Sequence, residues 1–246
     1  RIISTTCSLK LASKTLRFDF VTFIFSGDFH LSVCTKLLDQ DSLLASTPVA
    51  LYASMKAPGK TWAEILAASR ATPDRLTFAS FGPGSSSHLY AELLQSLTGV
   101  KWLHIAYKGP SPAMQALIGG EVDLMFDTLS SGMPQALAGR IRSLAVASAV
   151  RAPVAPDLPT FEELKVSGLD GGPWFALFAP KETPPSILKV LSESVHKSLG
   201  SSVIAKRLAG QGIAVINQGP VELASFQKQE IARWAENVKR FNIKVD

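Results

Sequence analysis

The chain is poor in the residues that most often announce chemistry. Among its 246 residues are two cysteines, Cys7 and Cys34, and four histidines. The cysteine spacing matches no zinc or redox motif, so the pair reads as two unconnected thiols, with a disulfide as the alternative in an oxidising compartment. The histidines are scattered without ligand spacing, and no metal site is expected. Charged residues make up 18% of the chain, below the ~25% usual for globular domains. The net charge of +5 is spread along the sequence without a basic block, so nucleic acid is not an expected partner. No apolar run reaches the ~20 residues of a membrane span. The early apolar patch 18–25 is short, contains Asp19 and makes a poor signal-peptide core. What is present is 46% apolar residues with a mean hydropathy of +0.19, enough to fill sizeable cores in one large domain or two smaller ones.

The most informative stretch is Phe81-Gly82-Pro83-Gly84-Ser85-Ser86-Ser87-His88-Leu89. It follows an apolar strand-like run, 76–80, and precedes a helical pattern carried by Leu89, Leu93, Leu94 and Leu97. A glycine- and serine-rich turn at that point opens a helix with unpaired backbone N–H groups. Such an end carries a partial positive charge and suits a carboxylate or phosphate.

From Thr47 onward short apolar strands alternate with helices. Strands are expected at 48–53, 76–80, 102–107, 122–126 and 143–147. Between them lie helices at 61–71, opened by the capping box Thr61-Trp62-Ala63-Glu64, at 86–98, at 111–118 closed by Gly119-Gly120, and at 133–138. This alternation predicts an α/β fold with a largely parallel sheet, whose ligands sit beyond the C-terminal strand ends. Loop 81–88, Tyr107-Lys108-Gly109 and Asp127-Thr128 all fall there. The proline-rich stretch 151–159, a short helix or turn at 160–165 and the glycine-rich connection 168–173 mark passage to another lobe. Beyond it come strand 174–180, helices at 184–199, 203–210 and 220–241, and strand 213–217. Residues 1–40 carry few turn signals and a mixed period, and are not placed on a sheet.

Over about four-fifths of its length the chain resembles the substrate-binding proteins of tripartite tricarboxylate transporters, the Bug family. The residues that carry the resemblance are Leu44-Ala45-Ser46-Thr47-Pro48, Gly84-Ser85-Ser86-Ser87-His88-Leu89, Tyr107-Lys108-Gly109, Gly119-Gly120-Glu121-Val122, Met125-Phe126-Asp127, Pro156-Asp157-Leu158-Pro159-Thr160 and Trp174-Phe175-Ala176-Leu177-Phe178-Ala179-Pro180. The resemblance implies a two-lobed periplasmic-binding-protein fold of type II with parallel-rich sheets. It implies a non-catalytic, periplasmic, monomeric protein that captures a small carboxylate and delivers it to integral-membrane transporter subunits, without a cofactor. Residues 49–172 would form the second lobe and 173–246 a return to the first. The family's opening strand and its proline- and glycine-rich loop have no counterpart in residues 1–48, so this stretch reads as an atypical remnant of an incomplete first lobe. A truncated, non-functional remnant is the corresponding alternative.

The expected ligand-binding residues each have a plainer reading. Gly82 and Gly84 allow close backbone approach or merely a strand-to-helix turn. Ser85, Ser86 and Ser87 offer amides and hydroxyls to one carboxylate, or cap the helix. His88 assists an anion or makes a structural hydrogen bond. Tyr107 walls a cleft, and Lys108 reads as a solvated charge. Asp127 orients a ligand hydroxyl or amine, or caps the next helix. Trp174 meets ligand at the lobe crossing or packs in a core. A hydrolase or transferase acting on a carboxylate is the competing class, with Ser86, His88 or His104, and Asp127 as an imagined triad. The Gly-x-Ser-x-Gly elbow, the dinucleotide fingerprint and the Walker ending are all missing.

Overall fold

The computed structural model describes residues 4–11, 14–21, 38–180 and 182–240, with side chains from residue 42 onward. Cys34 and Phe241 lie outside the described residues, as does the side chain of Cys7. The strands are β1 (Ser4–Leu11), β2 (Lys14–Val21), β3 (Leu38–Ser46), β4 (Val49–Ser54), β5 (Thr77–Ser80), β6 (Leu103–Ala106), β7 (Leu124–Thr128), β8 (Ile141–Val146), β9 (Trp174–Pro180) and β10 (Ala214–Gln218). The helices are α1 (Trp62–Ala71), α2 (Ser86–Thr98), α3 (Pro110–Gly119), α4 (Leu129–Leu137), α5 (Pro185–Leu199), α6 (Ser202–Ala209) and α7 (Pro220–Arg240).

A five-stranded sheet of order β6-β5-β7-β4-β8 forms the larger unit. All six residues of β4 are buried, as an apolar run in the middle of a sheet covered on both faces requires. Its side chains alternate between two cores. Val49, Leu51 and Ala53 join Phe78, Leu124 and Phe126 under α1 and α2, while Ala50 and Tyr52 join Ala79 and Met125 under α3 and α4. The ring of Tyr52 lies against the backbone of Gly132 in α4, leaving no room for a Cβ there.

The parallel arrangement implied by strand–helix alternation holds for β5 with β6 and for β5 with β7. β4 runs antiparallel to both neighbours, with Val49 opposite Thr128 and Ala50 opposite Val146. It enters directly from β3 through Thr47-Pro48, without the crossover helix that would reverse its direction. The return crossing lies alongside. Thr47 N donates to the Pro173 carbonyl at 3.0 Å, and a Cβ on Gly172 would collide with the Thr47 carbonyl. Beyond these crossings β10-β3-β9 form a fully antiparallel three-stranded sheet. Within the stretch that sequence pattern left unassigned, β1 and β2 pair as an antiparallel hairpin, and β2 runs beside β9.

Three local outcomes refine the expected elements. The Thr61 hydroxyl accepts from Glu64 N, but the Glu64 carboxylate reaches Lys60 N at 2.7 Å, so the capping box closes one residue early. α4 begins at Leu129 rather than 133, because Thr128 and Asp127 both cap it: Ser131 N donates to Thr128 Oγ1, and Ser131 Oγ to Asp127 Oδ2. At 160–165 the reciprocal Thr160–Glu163 bonds of a capping box are made, yet the chain only turns, with Lys165 stopping it at a left-handed φ of 62°. Among the described residues no helix is long and apolar enough to cross a membrane.

Candidate functional site

Strand β5 ends at Ser80, and the chain turns through 81–85 into α2. The turn needs left-handed backbone at Gly82 (φ 126°) and Gly84 (φ 73°), where a side chain would be strained. It binds much of itself. Gly82 N donates to Ser80 Oγ at 3.1 Å, Phe81 N to Ser87 Oγ at 2.9 Å, and Gly84 N to His88 Nδ1 at 3.1 Å. Ser85 N and Ser85 Oγ both donate to the Gly82 carbonyl. The amides of 81, 82, 84 and 85 and the Ser85 hydroxyl are therefore spent on the loop. The amides of Ser86, Ser87 and His88, and the Ser86 hydroxyl, have no hydrogen-bond partner among the described residues. The first turn of α2 holds no acidic residue to offset them. These donors form an anion-attracting end.

His88 is 4% exposed and sits in an aromatic stack. Its ring lies 4.1 Å from that of His104, which in turn stacks on Phe78 at 4.7 Å. Burial, helped by the neighbouring His104, lowers its pKa to about 4, so the ring is neutral near pH 7. Its Nε2 faces Glu92 at 3.8 Å.

The register of β5, β6 and β7 brings the other expected residues to the same sheet edge. Tyr107, just past β6, donates its amide to the Ser80 carbonyl at 2.9 Å and is half-buried; Lys108 is exposed. Burial, then the charge of Glu121, raises the Tyr107 phenol. Asp127 is buried, with Oδ1 accepting from Thr128 N at 2.7 Å and Oδ2 from Ser131 Oγ at 2.7 Å. Burial lifts its carboxyl to about 6, against the pull of both hydrogen bonds toward the anion. The arrangement gives Asp127 the cap of α4.

A Ser86–His88–Asp127 relay is not assembled. His88 Nδ1 is taken by Gly84, both Asp127 oxygens serve α4, and no imidazole bonds Ser86 among the described residues. Trp174 lies apart from the loop. It packs edge-on to Phe226 and lines a cavity of about 580 Å³, walled also by Thr47, Val150, Ile213 and Arg233; none of residues 81–88 lines it. Sequence reading missed Ser80, and considered His104 only for a triad rather than as the partner of Ser80 that shapes the turn. Their signal was local, a serine closing one strand and a histidine inside its parallel neighbour. The register Phe78 opposite His104 was needed to see it.

Residues 31–243 match the family model described as the tripartite tricarboxylate transporter family receptor. The chain belongs to that family. It is 34% identical over 202 residues to the UPF0065 protein in the tcbD-tcbE intergenic region of Pseudomonas sp. (strain P51), covering 82% of this chain and 60% of that protein. The chain spans about three-fifths of the length of this relative and of Protein BugT of Bordetella pertussis. Among solved structures it is similar to R. palustris Rpa4515 with adipate (TM-score 0.81, 32% identity, 84% of this chain and 69% of that one). It is also similar to MatC (Rpa3494) from Rhodopseudomonas palustris with bound malate (TM-score 0.75, 34% identity, 82% and 69%). These family receptors are α/β periplasmic binding proteins rather than enzymes.

Proposed function

We propose that this family receptor is a periplasmic solute-binding protein that captures a small carboxylate and hands it, as a monomer, to the membrane subunits of a tripartite transporter. The observation that carries this reading is the start of α2, where the amides of Ser86, Ser87 and His88 and the Ser86 hydroxyl are left without partners inside a receptor family fold. Those four donors take one carboxylate; Gly82, Gly84, Ser85 and Ser87 Oγ hold the turn that presents them, and Tyr107 walls its side. His88 contributes its backbone amide rather than its ring. Asp127 bears on the ligand by anchoring α4, and Trp174 by lining the crossing between lobes. The lobes themselves are 49–172 on one side and, on the other, β3 together with 173–240. The adipate- and malate-bound neighbours support a dicarboxylate as the ligand class.

Calorimetric titration of adipate, malate and citrate into the purified chain tests the reading. Saturable binding of at least one acid is expected, with no turnover of carboxylic esters. Ser86→Ala is expected to weaken that binding about five- to tenfold, the loss of roughly one hydrogen bond to a charged group. Absence of binding by all three acids overturns the function, and an unchanged Kd in Ser86→Ala moves the site elsewhere.

A further inference from the structure

The two stacked imidazoles beside the turn have no part in the anion seat itself, yet each controls one of the glycine amides that shape it. Gly84 N is a buried donor whose acceptor is His88 Nδ1 at 3.1 Å. An imidazole nitrogen accepts only when it carries no proton, so this bond requires a neutral ring with its hydrogen on Nε2, on the side of Glu92. Gly82 N donates to Ser80 Oγ, and that oxygen lies 2.6 Å from His104 Nε2. The second ring thereby sets the direction of the hydroxyl that holds the first glycine. At 4.1 Å and 10° between planes, two cations in this stack would repel strongly.

We propose that His88, backed by His104, is the positioning residue of the carboxylate site: its unprotonated Nδ1 holds Gly84 in its left-handed conformation, and so aims the free amides of Ser86, Ser87 and His88. The inference rests on the carboxylate-binding reading given above. The groups around His88 agree with it. From β6 it meets His104, from β5 the uncharged Phe78, and from its own helix Glu92. Asp123, just before β7, is taken up by Thr77, and Asp127 by Thr128 and Ser131. Glu92 favours a charged ring, but burial and the neighbouring imidazole outweigh it.

Nuclear magnetic resonance on the wild-type chain reads the ring directly. The expected result at pH 7 is a neutral His88 with a bare Nδ1 coupled to the Gly84 amide; a proton on Nδ1 overturns the proposal without any variant. Two substitutions then separate position from bulk. Asn places its side-chain oxygen near the site of Nδ1 and does not titrate, whereas Gln places it near Nε2. His88→Asn is expected to keep Gly84 amide protection flat from pH 7 to 4 and to hold the Kd for adipate within about threefold. His88→Gln is expected to lose protection at every pH and to weaken adipate about tenfold, as displacement of one charge-aiming amide set implies. In the wild type, protection should hold to about pH 5 and fall as pH approaches 4, where the ring gains its proton. Equal protection and equal Kd in both variants overturn the positioning role. Correct Gly84 behaviour in a protein that binds no adipate would instead leave the positioning intact and remove the carboxylate reading.

Discussion

The five-stranded unit, 49–172, and the helical stretch 182–222 use the same amphipathic grammar with opposite results. In the first, β4 is buried end to end, and α1 to α4 each bury part of an apolar face. In the second, α5, α6 and β10 bury no residue at all, although Ile187, Leu188, Leu191 and Val195 recur at helical spacing. Val190 and Val203 are 61% and 74% exposed. Periodicity makes a helix possible, but stabilisation comes from the surface that covers its stripe. Among the described residues that surface is ample around the large sheet and thin around α5 and α6.

Paired truncations sharpen the contrast most. Leu51→Ala, in the doubly covered strand, is expected to cost about 3–4 kcal/mol, whereas Leu191→Ala, on a half-exposed stripe, should cost about 1 kcal/mol or less. Urea denaturation measures both, and equal losses would erase the difference between the units. Gly132→Ala drives a methyl into the Tyr52 ring and should cost about 2–3 kcal/mol, read as a fall in Tm, because neither the strand nor the helix can retreat. The same change at Gly210, where a Cβ meets nothing nearer than 3.5 Å, is expected to cost little.

Asp127 offers a smaller, pH-dependent probe of the first unit. Its folded carboxyl titrates at about 6, above the usual 3.8, so the folded state holds more protons between those values. Its contribution is full below about pH 4 and is lost as pH rises through 6. Asp127→Asn should therefore leave stability near its wild-type value at pH 4 and raise it by about 3 kcal/mol at pH 8. Thermal melts across that range check the sign; a variant that is less stable at pH 8 than the wild type would show that the α4 cap needs the charge. His88 acts oppositely. Its lowered folded pKa withholds stability as pH falls from 6.5 toward 4, so the Asp127→Asn protein should lose stability on acidification more steeply than the wild type.

Much of the five-stranded unit was legible because its residues satisfy local rules. The strand at 49–54, the Thr61 cap, the glycine stop after α3 and the loop before α2 all follow from neighbours within four or five positions. The direction of β4 was not legible, since it depends on entry from another sheet. The turn that opens α2 was legible as a place but not as an inventory of donors. Pattern alone offered the whole run 82–88, while folding commits the amides of 82, 84 and 85 and the Ser85 hydroxyl to the turn and leaves the amides of 86–88 and the Ser86 hydroxyl. Trp174 could be assigned to a lobe crossing, but its neighbour Phe226 stands half a helical lobe away in the chain.

Chain order and residue type thus determined on their own where strands and helices alternate, where backbone must turn left-handed at Gly82 and Gly84, and which family the ordered motifs belong to. Only the tertiary structure decided that β4 runs against its neighbours and that the His88 ring meets Gly84 and His104. It also decided which N–H groups stay unpaired. The reason is range. Conformational preference acts over a few residues, whereas hydrogen-bond satisfaction and burial are settled between groups that meet only after the sheet has assembled.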